Sequence, residues 1–351
     1  MHFYIHSLPF DDPIRIPPPI TIPLLQVSKQ LQLPPVLTYS DNVLYNWHLD
    51  SDDPDELPTI PTIRCRTSFT STDDEAEFYL VSARIELVGV EALDLMRSTM
   101  DEMFVGDDLA VRRITTYLGQ LVATLHRLRD SLLELTCRCN PKVFYHDIRP
   151  WLRGEDSQPS RKWEFEGIDQ DSSLVPPTEL SGPSAGQSSL IHAVDIFLGV
   201  DKGTHGQDLT GHGLTPMDPR QRQPFLQRMQ MYMPRYHRSF LNHLSENGRQ
   251  LRDFVLKASS RSMHNDKDIT NEDGAALLVA YNAVVFALKE LRDAHIIIVA
   301  LYIIGPSRDR QLGVENVEFV SSVTPRGTGG SDIVRFLKEV RDRTKEAVIS
   351  T

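Results

Sequence analysis

Apolar side chains recur every three or four residues along most of this chain, the spacing that puts them on one face of an α-helix. The clearest case runs from Asp107 to Thr136, where Leu109, Ile114, Leu118, Leu121, Leu125 and Leu128 form one stripe. A preceding helix is predicted from Asp74 to Met103, with Phe78, Ser82, Ile85 and Val88 recurring on one side. Asn140 followed by Pro141 is a helix start, a side-chain cap with proline at the first position. Further helices are predicted from Ser184 to Leu198, from Pro234 to Leu244, from Asp273 to Ile304 and, as an amphipathic terminal segment, from Ser331 to Val348. Between them, residues 49–62, 153–183 and 305–330 read as loops.

The opening of the chain has a different texture. Residues 1–22 include Ile-Pro-Pro-Pro-Ile-Thr-Ile (16–22) and read as a proline-rich leading segment in extended conformation. Leu24 to Leu33 is a short helix stopped by Pro34-Pro35. Residues 23–351 are expected to form one large helical domain. No repeat is present and no stretch alternates as a strand would, so the expected fold class is all-α.

Composition narrows the function classes. At 40% hydrophobic and 24% charged residues the chain is globular rather than disordered. A formal charge of -11 argues against a nucleic-acid backbone or an anionic membrane as the main partner. Three cysteines, Cys65, Cys137 and Cys139, give neither a disulfide framework nor a four-thiolate zinc site. The run from His295 to Ile304 is too short to span a bilayer, which takes about 20 apolar residues. A cytoplasmic protein without membrane insertion is expected.

Candidate chemistry sits in a few places. His295 heads the apolar run Ile296 to Ile304; a histidine there either ligates a haem iron or bonds a carbonyl in the core. Arg292 lies one turn earlier and could meet a haem propionate or simply face solvent. Phe144 and Tyr145 precede Arg149, an aromatic wall beside a guanidinium, which suits an aromatic amino acid by stacking on its ring and gripping its carboxylate. The same pattern also describes a packed aromatic with a snorkelling arginine. Phe78 and Ser82 share a helix face, where the hydroxyl either serves a ligand or returns its bond to the backbone one turn back. Ser181-Gly-Pro-Ser184-Ala185-Gly-Gln-Ser-Ser189 and Gly327-Thr328-Gly-Gly330 are small-residue strings that let backbone approach a flat ligand. Neither has the ending of a phosphate-binding loop.

Several strings, in order, resemble the indoleamine 2,3-dioxygenase family: Pro23 to Leu37, Phe78 to Ser82, Asn140 to Arg149, Ser184 to Ser189, Tyr232 to Leu241, Leu291 to His295 and Gly327 to Gly330. The resemblance implies an all-α protein carrying one haem b per chain. Such a protein inserts O2 into the indole C2–C3 bond of L-tryptophan or another indoleamine and gives N-formylkynurenine, the first step of the kynurenine route to NAD. It also implies an electron donor that keeps the iron ferrous. Carried over by position, His295 is the iron ligand, and Arg292 and Asp195 serve the propionates. Arg149 grips the substrate carboxylate, and Phe144 and Tyr145 bound the indole. Phe78, Ser82, Ser184 and Ala185 line the distal side, with Ser184 also touching the cofactor. Thr328 sits on a closing loop. Pro183, Tyr79 and Tyr145 depart from the family's usual residues. The family's smaller N-terminal domain is expected to be missing, with this chain beginning where that domain ends. A non-catalytic haem protein is the alternative on that ground.

Overall fold

The structure, a computed structural model, describes residues 1–9, 13–51, 62–157, 161–200, 225–246, 250–263, 271–312 and 333–350. Three long helices carry the fold: α3 (Asp73–Val105), α4 (Asp108–Leu133) and α11 (Asn271–Val299). Helix α4 lies between the other two and packs along both. Its predicted stripe explains why: past Leu109, which is exposed in the first turn, Ile114, Leu118, Leu121, Leu125 and Leu128 are all buried. Each such side chain contributes about 1.5–3 kcal/mol by leaving water.

The ends of α3 and α4 are written locally. Thr72 accepts a hydrogen bond from the Glu75 N–H at 3.3 Å, while the Glu75 carboxylate reaches back to the Phe69 and Thr70 N–H groups at 2.9 and 2.6 Å. This is a capping box, shifted outward by two residues. Asp107 caps α4 through the Ala110 N–H at 2.7 Å.

In chain order the other elements begin with α1 (His2–Ser7), β1 (Ile14–Ile16), α2 (Pro18–Leu31), β2 (Trp47–Leu49) and β3 (Ile63–Cys65). After α4 come α5 (Leu135–Arg138), α6 (Pro141–Val143), β4 (Trp163–Phe165) and α7 (Ser189–Leu198). Beyond α7 lie α8 (Phe225–Met229), α9 (Arg235–Glu246), α10 (Leu251–Met263), α12 (Gly305–Leu312) and α13 (Ile333–Glu346). Helices α7, α10, α11 and α13 join α3 and α4 around one core that includes Leu190, Val194, Val255, Tyr281 and Leu288. The all-α class is correct.

Several sequence expectations are corrected. The start of the chain is not simply extended: α1 and β1 form there, and α2 begins at Pro18. Prolines 18 and 19 fall in its first turn, where a missing N–H costs nothing. The boundary expected at residue 22 therefore falls inside a helix. Strands do exist, in two pairs of three residues: β1 runs parallel to β4 (Ile14 opposite Trp163) and β2 antiparallel to β3 (Trp47 opposite Cys65). Three residues are too few to show alternation. The loop expected from 305 to 330 starts with helix α12. The helix expected from Ser184 starts at Ser189, because Ser184 caps a separate 3-10 turn, Ala185–Gln187.

Candidate functional site

Two π-helical turns shape this region, a form in which the wider spacing re-aims side chains and which recurs at functional sites. One, Phe144–Ile148, follows α6 and leads into a 3-10 turn, Arg149–Leu152. Pro150 has no N–H to continue a regular helix there. The other, Ala300–Ile304, ends α11 just beyond His295.

The two turns meet. The Phe144 ring lies 5.7 Å from Tyr302 and 4.6 Å from Phe78 on α3. Tyr302 directs its hydroxyl at the Leu135 and Cys139 carbonyls, 2.7 Å from each, so one proton is shared between two acceptors. Phe144, Ile148, Leu152, Tyr79, Ile298 and Tyr302 form one buried cluster with Phe78 against it. Ile298 is one turn past His295, so the histidine's helix and the aromatic wall share a common packing surface.

His295 has a distinctive environment. Its ring is half-buried by surface area, yet protein surrounds it closely enough that desolvation, and then the Arg292 charge, lower its pKa to about 4. No hydrogen bond to the ring is seen among the described residues. A neutral imidazole with nitrogen lone pair available is the donor that an iron requires. Among the described residues no three His, Cys, Asp or Glu side chains converge on a metal position.

Arg292 and Asp195 are brought together across 97 residues of sequence. The guanidinium donates to both Asp195 oxygens at 2.5 and 2.6 Å and also to the Thr344 hydroxyl of α13. With 9% and 4% of their surfaces exposed, the two charges form a buried bidentate pair tying α7, α11 and α13. The solvent-facing reading of Arg292 is thereby excluded.

Arg149 is 7% exposed, and its guanidinium carbon lies 5.4 Å from the Tyr145 ring centre. Desolvation, then the neighbouring positive charge of Arg153, push its pKa down to about 10. A carboxylate arriving at such a cation relieves both penalties. Ser82 returns a long bond to the Phe78 carbonyl at 3.5 Å, as a helical serine commonly does.

Ser184 is half-buried and Ala185 exposed; the Ser184 hydroxyl accepts from the Gly186 N–H at 3.2 Å. This loop is held against the Arg149 turn by a backbone crossing. A side chain on Gly154 would strike the Leu180 carbonyl, and one on Gly182 the Leu152 carbonyl, so only glycine permits the approach. Thr328 and its glycine-rich string lie outside the described residues.

Sequence reading missed the buried carboxyls that join these parts. Glu75 accepts from the Tyr79 hydroxyl at 2.8 Å. Glu86, one turn past Ser82, accepts from the Tyr39 and Ser188 hydroxyls at 2.9 and 2.6 Å, and burial pushes its pKa up. Gln187 extends the link, accepting from the Tyr39 N–H at 2.8 Å and donating to the Gly182 carbonyl at 2.9 Å. The Ser/Thr-x-x-Glu spacing before α3 could have revealed Glu75; nothing local marks Glu86. A groove of about 300 Å³ lined by Val43, Trp47, Glu86, Leu87, Leu190 and Phe240 contains none of the sequence-derived site residues.

A sequence profile for indoleamine 2,3-dioxygenase matches residues 1–347. The chain belongs to the indoleamine 2,3-dioxygenase family. It is 32% identical over 342 residues to indoleamine 2,3-dioxygenase 1 of Rattus norvegicus, covering 97% of this chain and 75% of that one. It is 33% identical over 355 residues to indoleamine 2,3-dioxygenase of Saccharomyces cerevisiae, covering 94% and 72%. A 6-hydroxytryptophan 2,3-dioxygenase of Fusarium equiseti is 29% identical over 341 residues, covering 95% and 75%. As a member of this family the chain is an oxidoreductase of the dioxygenase class. The non-catalytic alternative finds no support in these relatives. The family match starts at residue 1, so α1 lies within it. Among the described residues no helix is long and apolar enough to cross a membrane.

Proposed function

We propose that this chain inserts both atoms of O2 across the indole C2–C3 bond of L-tryptophan, giving N-formylkynurenine, with one haem b held by His295. The observation that carries the reading is the enclosed, neutral His295 ring without a hydrogen bond among the described residues. When bound there, haem supplies the ferrous iron at which O2 is activated.

The chain's own residues position and desolvate the reactants. Arg149 grips the substrate carboxylate, and Tyr145 and Phe144 bound the indole. Phe78 continues that wall, and Ser82 offers a hydroxyl from α3 once it gives up its long backbone bond. Ser184 and Ala185 would line the distal side from their loop, and Thr328, outside the described residues, is assigned to the substrate by family resemblance alone. The Asp195–Arg292 pair ties α7 to α11 one turn before His295, and Arg292 would be the residue that serves the haem propionates. Product equals substrate plus O2, so no proton or electron is left over and no strong base is required. An electron donor serves only to keep the iron ferrous. The same reading places the protein in the cytoplasm at the first step of the kynurenine route to NAD.

The test compares the parent with His295→Ala. The parent should bind one haem per chain and His295→Ala should lose stoichiometric binding; a full native-like haem spectrum in the variant rejects the ligand assignment. Assaying tryptophan beside 6-hydroxytryptophan shows which ring the pocket accepts.

A further inference from the structure

Helix α1 contributes none of the residues above, yet it holds the turn that carries Arg149. His2 is 8% exposed and uses both ring nitrogens. Nδ1 lies 3.1 Å from the Trp151 carbonyl, so it must donate, and Nε2 accepts from the Leu37 N–H at 3.4 Å. Only the neutral Nδ1–H form can do both. Desolvation keeps the ring in that form by lowering its pKa to about 4.

A second contact comes from the same helix. The His6 ring stacks on Trp151 with centres 4.0 Å apart, and Trp151 stacks in turn on Phe69 at 5.0 Å. The Pro150 carbonyl also lies near the His6 ring. Two histidines one turn apart thus engage Trp151 of the 3-10 turn that begins at Arg149, one at its carbonyl and one at its ring.

The Leu37 end of the His2 bridge matters equally. Two residues on, the Tyr39 N–H donates to Gln187, the last residue of the turn capped by Ser184. One imidazole therefore connects the turn bearing Arg149 to the segment that holds the Ser184 loop.

We infer that His2 is a positioning residue for tryptophan recognition, fixing Arg149 relative to the Ser184 loop through the Trp151 carbonyl and the Leu37 N–H. The inference rests on the proposed function for its substrate, but the clamp itself is independent of it. It predicts a defect in substrate affinity rather than in haem binding or chemistry.

The experiment uses haem-loaded full chain in three forms: parent, His2→Phe and His2→Asn. Phenylalanine keeps the ring's bulk and loses both bonds; asparagine keeps an N–H donor for the Trp151 carbonyl. In His2→Phe, amide hydrogen exchange at residues 149–153 should quicken about tenfold, the effect of losing roughly one net hydrogen bond. Exchange at residues 114–128 should be unchanged. KM for tryptophan should rise about tenfold, with kcat and haem content held within about twofold. His2→Asn should recover much of both losses. Unchanged exchange at 149–153, or equal quickening throughout α4, overturns the clamp. Quickened exchange with unaltered KM overturns its role in recognition. A parent that makes no product rejects the proposed function instead, and the exchange result still decides the clamp.

Discussion

Removing the Asp195 carboxylate tests the keystone one turn before His295. In Asp195→Ala the Arg292 guanidinium loses both of its bonds to carboxylate oxygens and keeps the Thr344 hydroxyl among the partners described above. Stranding one member of a buried pair costs about 3–5 kcal/mol. The remaining hydroxyl and a small opening to solvent favour the lower end, about 3 kcal/mol. Against a typical total of about 5–15 kcal/mol that is a large share. The pair's net worth is a different quantity, because bringing both charges out of water offsets most of their attraction. Asp195→Leu combined with Arg292→Met should therefore return to within about 1 kcal/mol of the parent. Urea unfolding followed by far-ultraviolet circular dichroism, at matched haem content, reads both values. A loss below about 1 kcal/mol in Asp195→Ala, or a double variant no better than the single one, would refute the argument that this is a buried, mutually dependent pair.

Other consequences are more local. Arg149→Ala should raise KM for tryptophan by about 2–4 kcal/mol of binding, since a desolvated charge-assisted pair is lost, while haem content stays unchanged; equal affinity would remove Arg149 from the site. Ser82→Ala should keep turnover within about threefold, because the hydroxyl's one recorded bond is long and no base is needed; a loss of about a hundredfold would give Ser82 a direct role in proton transfer. Tyr302→Phe should cost about 1 kcal/mol of stability for one shared hydroxyl proton, read by the same urea titration. His2 gives a pH dependence whose sign is fixed. Its folded pKa of about 4 lies below the ordinary histidine value of about 6.5, so the unfolded chain binds the proton first. Stability is full above about pH 6.5 and falls as pH drops toward 4, by up to about 3 kcal/mol for this group. Thermal melts across that window should show the loss, and His2→Phe should remove this group's share of it while the share owed to His295 remains.

Much of this was legible in the sequence because the governing signals are local. The stripe from Ile114 to Leu128 specifies a buried face by spacing alone, and Thr72 and Asp107 mark helix starts by side-chain chemistry. What escaped has two causes. Short elements lack room for a pattern: β1 to β4 are three residues each, and α1 precedes prolines that suggested an extended chain. Helix α10 did carry a signal, Leu251, Val255 and Ala258 at helical spacing, all buried. The π turns at Phe144 and Ala300 are invisible to a 3.6-residue period, though they aim Phe144 and Tyr302 at each other.

The second cause is distance along the chain. No window of sequence contains both Asp195 and Arg292, or both Glu86 and Tyr39. The former pair was expected only through family resemblance; the latter was not expected at all. Polar groups such as Glu86 are placed by the need to satisfy every buried donor and acceptor in three dimensions, a condition that a linear pattern does not encode. Local readings of Arg292 and Ser82 each left two options. The structure buries the arginine in a pair with Asp195 instead of facing it to solvent, and gives the serine a long bond to the Phe78 carbonyl.

The central claim is that this chain cleaves the indole ring of tryptophan at a haem held by His295. Its most direct test is N-formylkynurenine formation from L-tryptophan by ferrous, haem-loaded protein, with haem content measured in the same sample. The account predicts product well above a free-haem control, and its loss in His295→Ala. Full haem occupancy with no product from the parent would contradict it.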